Sequence, residues 1–435
     1  MDFIKFALKN GADDVIIEKN IDETRQVRFA NNNVQIFNIW NTISYEIFLT
    51  HKKRVVNTVV LDTSESAIKN AIKNLIKNAK IIMPSQEYFG IAEGPFKYKK
   101  IPQTFDKKVI DANLLDITEG MINSALKDSN NTAGTVYTNY NQKELETSSH
   151  VSASEKSTDM QVSIRAFNSD EETGHAASCS RSLKSINPEK IGQKAGEISK
   201  QAKNPEKTEQ GKYNVIFDPL SAANLLSVVG AFSSAFFVDI GMSFLSGKLG
   251  KKVASENVTI FDDGRIPGGY SSTSFDDEGV PTKRTAIIDN GILKNYLHNT
   301  STSKKYKTVT TANAGLVAPY PKNIIFKEGK DPKEKIFKDF NGLYITNVWY
   351  TRFQNNLEGD FSTIPRDGIF LIKNGEVIKS VKNIRVSDNL QRMLENVVKV
   401  SSKPEWIVWW GLEFQVPIFT PYILVKDVNI TQSTM

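Results

Sequence analysis

Pro219-Leu-Ser-Ala-Ala-Asn-Leu-Leu-Ser-Val-Val-Gly-Ala-Phe-Ser-Ser-Ala-Phe-Phe-Val238 carries no charge and is long enough to cross a lipid bilayer. How it is read decides the fold. Ser221, Asn224, Ser227, Ser233 and Ser234 interrupt it, and Asp218 and Asp239 flank it. Neither side carries the lysine and arginine bias of a membrane anchor. The stretch therefore reads as one long helix buried inside a domain, with no membrane span. Asp218 can cap its first turn, and Pro219 fits a position where the backbone N–H has no helical partner.

After this helix, strands dominate. Val258-Thr-Ile-Phe, Arg284-Thr-Ala-Ile-Ile, Asn323-Ile-Ile-Phe, Leu343-Tyr-Ile-Thr-Asn-Val-Trp-Tyr, Gly368-Ile-Phe-Leu-Ile and Tyr422-Ile-Leu-Val are rich in β-branched and aromatic residues. Asn290-Gly291 and Asn374-Gly375 are hairpin signals, because both residues tolerate the positive φ of a type I′ turn. Asn389 to Val400 reads as a short helix with Leu390, Met393, Leu394 and Val397 on one face.

Before the helix, residues 203–212 hold no apolar side chain and form the best linker in the chain. We place a domain boundary there: residues 1–205 as an N-terminal α+β domain with an antiparallel sheet, and 211–435 as a β-rich domain around the one long buried helix. The fold class is α+β. In the first half, 13–61 reads as a meander of short strands and Ala67 to Ala79 as an amphipathic helix. A second helix is expected at about 108–127, then polar strands near 133–138, 143–154 and 159–183. A third helix starts at Asn187-Pro188-Glu189 and runs to about Ala202.

The chain has 435 residues, 55 Lys+Arg against 49 Asp+Glu, 4 His and 1 Cys. The length suits two or three domains. One cysteine excludes a disulfide framework and fits a reducing, cytoplasmic location. A net charge of +6 is too mild to mark a nucleic-acid surface.

Metal chemistry is limited by the histidines. His51, His150, His175 and His298 include no two within a helical turn. His175 and Cys179 are four apart, but in a stretch that reads as strand or turn, where that spacing does not converge. Asp262-Asp263-Gly264 and Asp276-Asp277-Glu278-Gly279 offer carboxylates to a hard cation, or cap turns beside strands. Gly241-Met-Ser243 lacks the second glycine of a nucleophile elbow, and Gly247-Lys-Leu-Gly-Lys-Lys lacks the spacing of a phosphate loop. Trp406-Ile-Val-Trp-Trp-Gly-Leu-Glu-Phe must be core, subunit interface or ligand groove.

One block is a family signature. Ser243-Phe-Leu-Ser-Gly-Lys-Leu-Gly, Val253-Ala-Ser-Glu-Asn-Val-Thr-Ile-Phe-Asp-Asp and Phe275-Asp-Asp-Glu-Gly-Val-Pro-Thr-Lys-Arg-Thr-Ala-Ile-Ile-Asp-Asn-Gly resemble the TldD/PmbA family, also known as modulators of DNA gyrase. Asn187-Pro-Glu-Lys-Ile-Gly and Gly359-Asp-Phe-Ser agree. The resemblance implies a two-domain α+β protein that dimerises. One branch, TldD, holds zinc through a His-Glu-x-x-x-His helix and a later Cys. The other, TldE or PmbA, is its non-catalytic partner in processing small peptides.

Counted back without gaps, the zinc motif falls on Leu226, Ser227 and Ala231, none of which suits zinc, and residues 219–245 hold no His, Cys or Glu. The resemblance thus points to the TldE branch. It implies no catalytic residue and no metal or cofactor in this chain, with zinc in a TldD-like partner. A homodimer is the expected state of the isolated chain, and small unfolded peptides are the expected substrate. Asp276, Asp277, Glu278, Gly279 and Arg284 are the signature residues expected to form a substrate or structural loop. Two other readings compete: a stand-alone metal-dependent peptidase using His175, His298 or the 276–278 acids, and a binding protein that modulates gyrase. At the C-terminus, Trp406, Trp409 and Trp410 depart from the Gly- or Pro-rich family pattern.

Overall fold

The computed structural model describes residues 2–433. In chain order the first half runs α1 (Phe3–Lys9), β1 (Val15–Ala30), β2 (Asn33–His51), β3 (Arg54–Val60), α2 (Glu65–Ala79), α3 (Lys107–Ile110), α4 (Leu114–Ala125), β4 (Asn131–Thr147), β5 (Ser152–Phe167), β6 (Thr173–Ser180) and α5 (Pro188–Gln201). Its strands form one antiparallel sheet in the order β3-β2-β1-β4-β5-β6.

The strands are longer than the sequence pattern suggested. The expected meander of short strands is two long strands and a short one, and the expected breaks at 139–142 and 155–158 give way to turns between Thr147 and Ser152 and between Phe167 and Thr173. The reason is that the sheet is covered at its two ends. At one end Val27, Phe29, Val136, Val162 and Ile164 pack under α4 and α5. At the other, Val15, Ile17, Ile47 and Leu49 pack under α1 and α2. The backbone ladder runs straight through the polar middle, Glu18 to Arg25, which local composition reads as a break.

Helix ends follow their caps. Ser64 Oγ accepts from Ala67 N at the start of α2, and Asn187 Oδ1 from Lys190 N before Pro188 of α5. Gly192 and Gly196 of α5 lie against the backbone of α4, where a Cβ would collide with Met121 O and Ala125 O. The expected helix at 108–127 is interrupted: α3 ends at Ile110, and Asn113 caps α4 afresh.

The second half runs β7 (Gly211–Phe217), α6 (Pro219–Phe232), α7 (Ala235–Asp239), β8 (Ile260–Asp263), β9 (Arg284–Asp289), β10 (Ile292–Leu293), α8 (Thr300–Lys305), β11 (Ile324–Phe326), α9 (Lys333–Phe337), β12 (Gly342–Asn355), β13 (Asp360–Lys373), β14 (Glu376–Ser380), β15 (Ile384–Asn389), α10 (Leu390–Glu395), β16 (Val397–Val400), β17 (Glu405–Ile407), β18 (Ile418–Thr420) and β19 (Ile423–Gln432). One sheet has the order β10-β9-β8-β11-β18-β17. In the other, β12-β7-β19-β15-β13 closes into a ring because β12 also pairs with β13, and β14 and β16 attach to it.

Helix α6 lies between this ring and the six-stranded sheet, and every one of its residues is buried. Ser221 Oγ donates to Ile345 O of β12, and Gly230 lies against Ile324 of β11. The single long helix expected to Val238 is corrected. It stops at Phe232, and Ser234 caps the short α7, whose Phe236 is exposed. No helix among the described residues is long and apolar enough to cross a membrane. The helix expected over 389–400 also ends early, at Glu395, because Val397–Val400 is drawn into pairing with β19.

Candidate functional site

Helix α6 comes first, because it holds the positions matched to a zinc motif. Asp218 Oδ1 accepts from Leu220 N at its start and from the Lys194 ammonium, and Oδ2 accepts from the Tyr344 hydroxyl. Leu226, Ser227 and Ala231 are packed in the core. The single polar group among them, Ser227 Oγ, donates to Asn224 O and accepts from Phe414 N. Leu226 and its neighbours Leu225 and Val229 face Phe217, Phe326 and Met393 across a small apolar cavity. One committed hydroxyl and two aliphatic side chains do not fit a zinc ion, which takes nitrogen, sulfur or carboxylate ligands.

The acidic clusters serve the backbone. Asp262 is buried and accepts from Asn313 Nδ2, Lys322 N and Asn323 N, and burial pushes its pKa up to about 6. Asp276 accepts from Glu278 N, Val280 N and Ala314 N, and burial again pushes it up to about 6. For Asp277, burial is outweighed by the ammonium groups of Lys143 and Lys322, so its carboxyl is held below the usual range. Glu278 is the most perturbed: burial, with the neighbouring Asp276 charge, raises it to about 8. It accepts from Thr300 N.

These residues sit where the two halves of the chain meet. Gly279 has φ +80°, and a Cβ there would collide with Val151 from the first half. Tyr98 donates to Gly279 O, and Lys143 of β4 reaches Asp277. The structure thus brings Asp276, Asp277, Glu278 and Gly279 together, but not Arg284. That side chain lies apart on β9, with its guanidinium 3.8 Å above the Phe261 ring and Nε 3.9 Å from Asp263.

Glu278 opens onto a cavity of about 320 Å³ between the halves. Tyr88, Phe236, Ile240 and Leu316 supply apolar walls, and Asp239 and Lys305 a charged pair, 2.9 Å apart. With a pKa near 8, Glu278 is mostly protonated at neutral pH. It is then a hydrogen-bond donor in an apolar cleft, suited to a carbonyl oxygen.

A second cavity, of about 300 Å³, sets His175, Trp409 and Trp410, which the sequence singled out, beside Ser163, Arg165 and Trp349, which sequence reasoning missed. His175 of β6 lies 2.9 Å from Ser163 Oγ through Nε2 and 2.8 Å from Asn347 Nδ2 through Nδ1. Trp409 packs edge-on to it at 4.7 Å, and Trp349 lies beyond. The polarity is wrong for a serine nucleophile. The Asn347 amide nitrogen, also bonded to Asp367 Oδ2, donates to Nδ1, so Nε2 carries the proton and donates to Ser163. Burial lowers the His175 pKa to about 4, and Asp367 is paired with Arg165 instead. His175 and Cys179 both belong to β6, where four residues span roughly 13 Å. Among the described residues, no three His, Cys, Asp or Glu side chains come together as metal ligands would. His298 is alone as well, its pKa lowered to about 4 by burial.

The aromatic C-terminal segment divides. Trp406 stacks on Phe419 at 4.7 Å, Trp409 is fully buried, and Trp410 is 63% exposed.

Residues 210–432 match the family model described as the PmbA/TldA metallopeptidase C-terminal domain. The chain belongs to the PmbA/TldD metallopeptidase family. Relatives in this family include an uncharacterised protein of Methanocaldococcus jannaschii, 28% identical over 71% of this chain and 74% of that one. A metalloprotease of the same organism is 34% identical over 44% of each chain, and PmbA of Escherichia coli O157:H7 is 28% identical over 56% and 53%. The match thus spans only about half the length of the relatives that carry the metalloprotease name. Among solved structures, TldE from Thermococcus kodakarensis superposes with a TM-score of 0.87 at 22% identity over 99% of both chains. A Thermotoga maritima protein described as a modulator of DNA gyrase gives 0.84 at 23% over 98% of both. These two likenesses establish the PmbA/TldD fold over the whole chain.

Proposed function

We propose that this chain is the non-catalytic, TldE-like subunit of a cytoplasmic metalloprotease that degrades small unfolded peptides. The observation that carries the reading is α6: at the positions matched to the zinc ligands stand Leu226, Ser227 and Ala231, packed in the core with no ligand atom to offer. The zinc belongs, on this reading, to a TldD-like partner with an intact His-Glu-x-x-x-His helix. This chain's part is to wall the peptide chamber. The cleft at Glu278 suits that role, with a carboxylic acid to donate to a peptide carbonyl and aromatic and aliphatic walls for its side chains. The 276–279 turn holds that wall to the first half of the chain through Tyr98 and Lys143.

Co-expression with a family member that carries the zinc motif tests this. The expected result is a co-purifying 1:1 complex with one zinc, and less than about a tenth of an equivalent on this chain alone, given how tightly protein zinc sites bind. Stoichiometric zinc on the isolated chain would instead support a stand-alone peptidase.

A further inference from the structure

The first half of the chain builds the floor of the cavity beside His175. Arg28 of β1 stands opposite Thr135 of β4, and Thr135 opposite Ser163 of β5. One row on, Ala30 stands opposite Ala133, Ala133 opposite Arg165, and Arg165 opposite His175 of β6. Residues two apart on a strand, or directly opposite across strands, share a face, so all these side chains rise from one face of the sheet. Helices α4 and α5 pack on the other face, over Val27, Phe29, Val136 and Ile164. Ala30 and Ala133 are too short to fill the floor, which leaves open space between Arg28 and Arg165. The second half supplies the wall. The rings of Trp349, Trp409 and Trp410 meet in a triangle, with centroids 5.2–5.4 Å apart and planes inclined by 53–82°. Gly411 allows this at Trp409, because a Cβ there would collide with the indole. Trp349 already has the guanidinium groups of Arg165 and Arg366 against its ring, at 5.1 and 5.5 Å. Trp349 and Trp409 are 7% and 1% exposed, whereas Trp410 is 63% exposed. An indole left that wet beside two buried ones is aromatic surface without cover.

The charge in the cavity is one-sided. No acidic residue lines it. Arg28 is exposed and has no carboxylate partner among the described residues. Arg165 donates to Asp367 through Nε and Nη2, which leaves Nη1 without a hydrogen bond. His175 spends both ring nitrogens, on Ser163 and Asn347, and adds no charge. The two arginines are rooted two strand spacings apart, about 10 Å, so both can reach an anion laid over Ala133. Asp367 already neutralises one of them, and the surplus of one positive charge matches a carboxylate better than a doubly charged phosphate ester. We propose that this cavity binds an aryl carboxylate, with its ring against Trp410 and its carboxylate held between Arg28 and Nη1 of Arg165. Aromatic rings prefer the offset and edge-to-face contacts that the three indoles offer. A volume of about 300 Å³ suits a small molecule or a single side chain with its carboxylate. Such a group comes from two sources, a free aromatic acid or the C-terminal aromatic residue of a peptide. The site shares no residue with the cleft at Glu278, so the inference survives if the subunit reading fails.

Calorimetric titration of the full chain with hydrocinnamate tests this. One site per chain is expected, with a Kd below about 5 mM. The neutral amide of the same acid is expected to bind at least about tenfold more weakly, because it loses the charge-assisted bonds to the arginines. Trp410→Ala and Arg28→Gln, both at exposed positions, are each expected to weaken hydrocinnamate binding by at least about tenfold with an unchanged circular dichroism spectrum. The tripeptide Ala-Ala-Phe then names the source. Tighter binding than hydrocinnamate assigns the site to a peptide end, and equal or weaker binding assigns it to a free acid. Absence of saturable binding in the expected range overturns the proposal. So does an amide that binds as well as the acid, or an affinity that either variant leaves unchanged.

Discussion

Two stretches of this chain lack charge over a comparable length, 219–238 and 29–45, and they end in opposite places. The first is threaded between two sheets and its helix is buried on every side. The second runs along an open edge with its isoleucines and tryptophan half in water. The contrast teaches that apolar composition states a need for cover without saying what provides it. Helix α6 finds its cover within the chain, where Ser221, Asn224 and Ser227 spend their polar groups on neighbouring backbone or side chains. The middle of β2 has no layer above it among the described residues, because the helices of the first half cap only the two ends of the sheet.

Substitutions should separate the two regions by size of effect. Leu226→Ala, in the fully packed helix, is expected to lower stability by about 2–5 kcal/mol, read from the midpoint of urea unfolding. A loss under 1 kcal/mol would mean that α6 is less tightly packed than described. Gly279→Ala comes next. It forces a Cβ onto a φ of +80° and against Val151, at an expected cost of about 1–3 kcal/mol. Because Gly279 lies at the seam between halves, cleavage by a protease between residues 203 and 210 should rise with it.

A third prediction concerns pH. Glu278 has its pKa raised from 4.5 to about 8 by burial and Asp276. Between those values the folded chain holds a proton that the unfolded chain has released, so stability falls as pH rises through the window. Glu278→Gln should remove that slope. Its melting temperature relative to wild type is expected to climb between pH 5 and pH 8, and a constant difference would show that Glu278 titrates normally. The smallest effect is expected at the edge: Ile39→Ala, at a side chain 54% exposed, should change stability by no more than about 0.5 kcal/mol. A larger loss there would mean that β2 is covered after all.

Local signals were legible in the sequence and distant ones were not. Asn187-Pro188, Asn290-Gly291 and Asn374-Gly375 act through their own backbone, and the chain obeys them, with φ of 46° and 80° at 290–291 and 52° and 84° at 374–375. Val397–Val400 follows the helical pattern of its neighbours, yet joins β19 because that pairing is a tertiary gain. Glu18 to Arg25 reads as a break because its neighbours on β2 and β4 are distant in sequence, Glu46 to Ile39 and Leu145 to Thr138. At the candidate site, the carboxylates at 276–278 were visible as a motif, but not that Tyr98, Lys143 and Val151 meet them. Ser163, His175, Asn347 and Asp367 come from four strands, and no spacing announces them.

The central claim is that this chain contributes a wall and not a metal centre. It is tested most directly by titrating the purified chain into a family member bearing the His-Glu-x-x-x-His helix and following cleavage of a short unfolded peptide. The account predicts negligible cleavage by either chain alone, and a rate that climbs to a plateau at one chain per partner. A flat response, or cleavage by this chain without the partner, would contradict it.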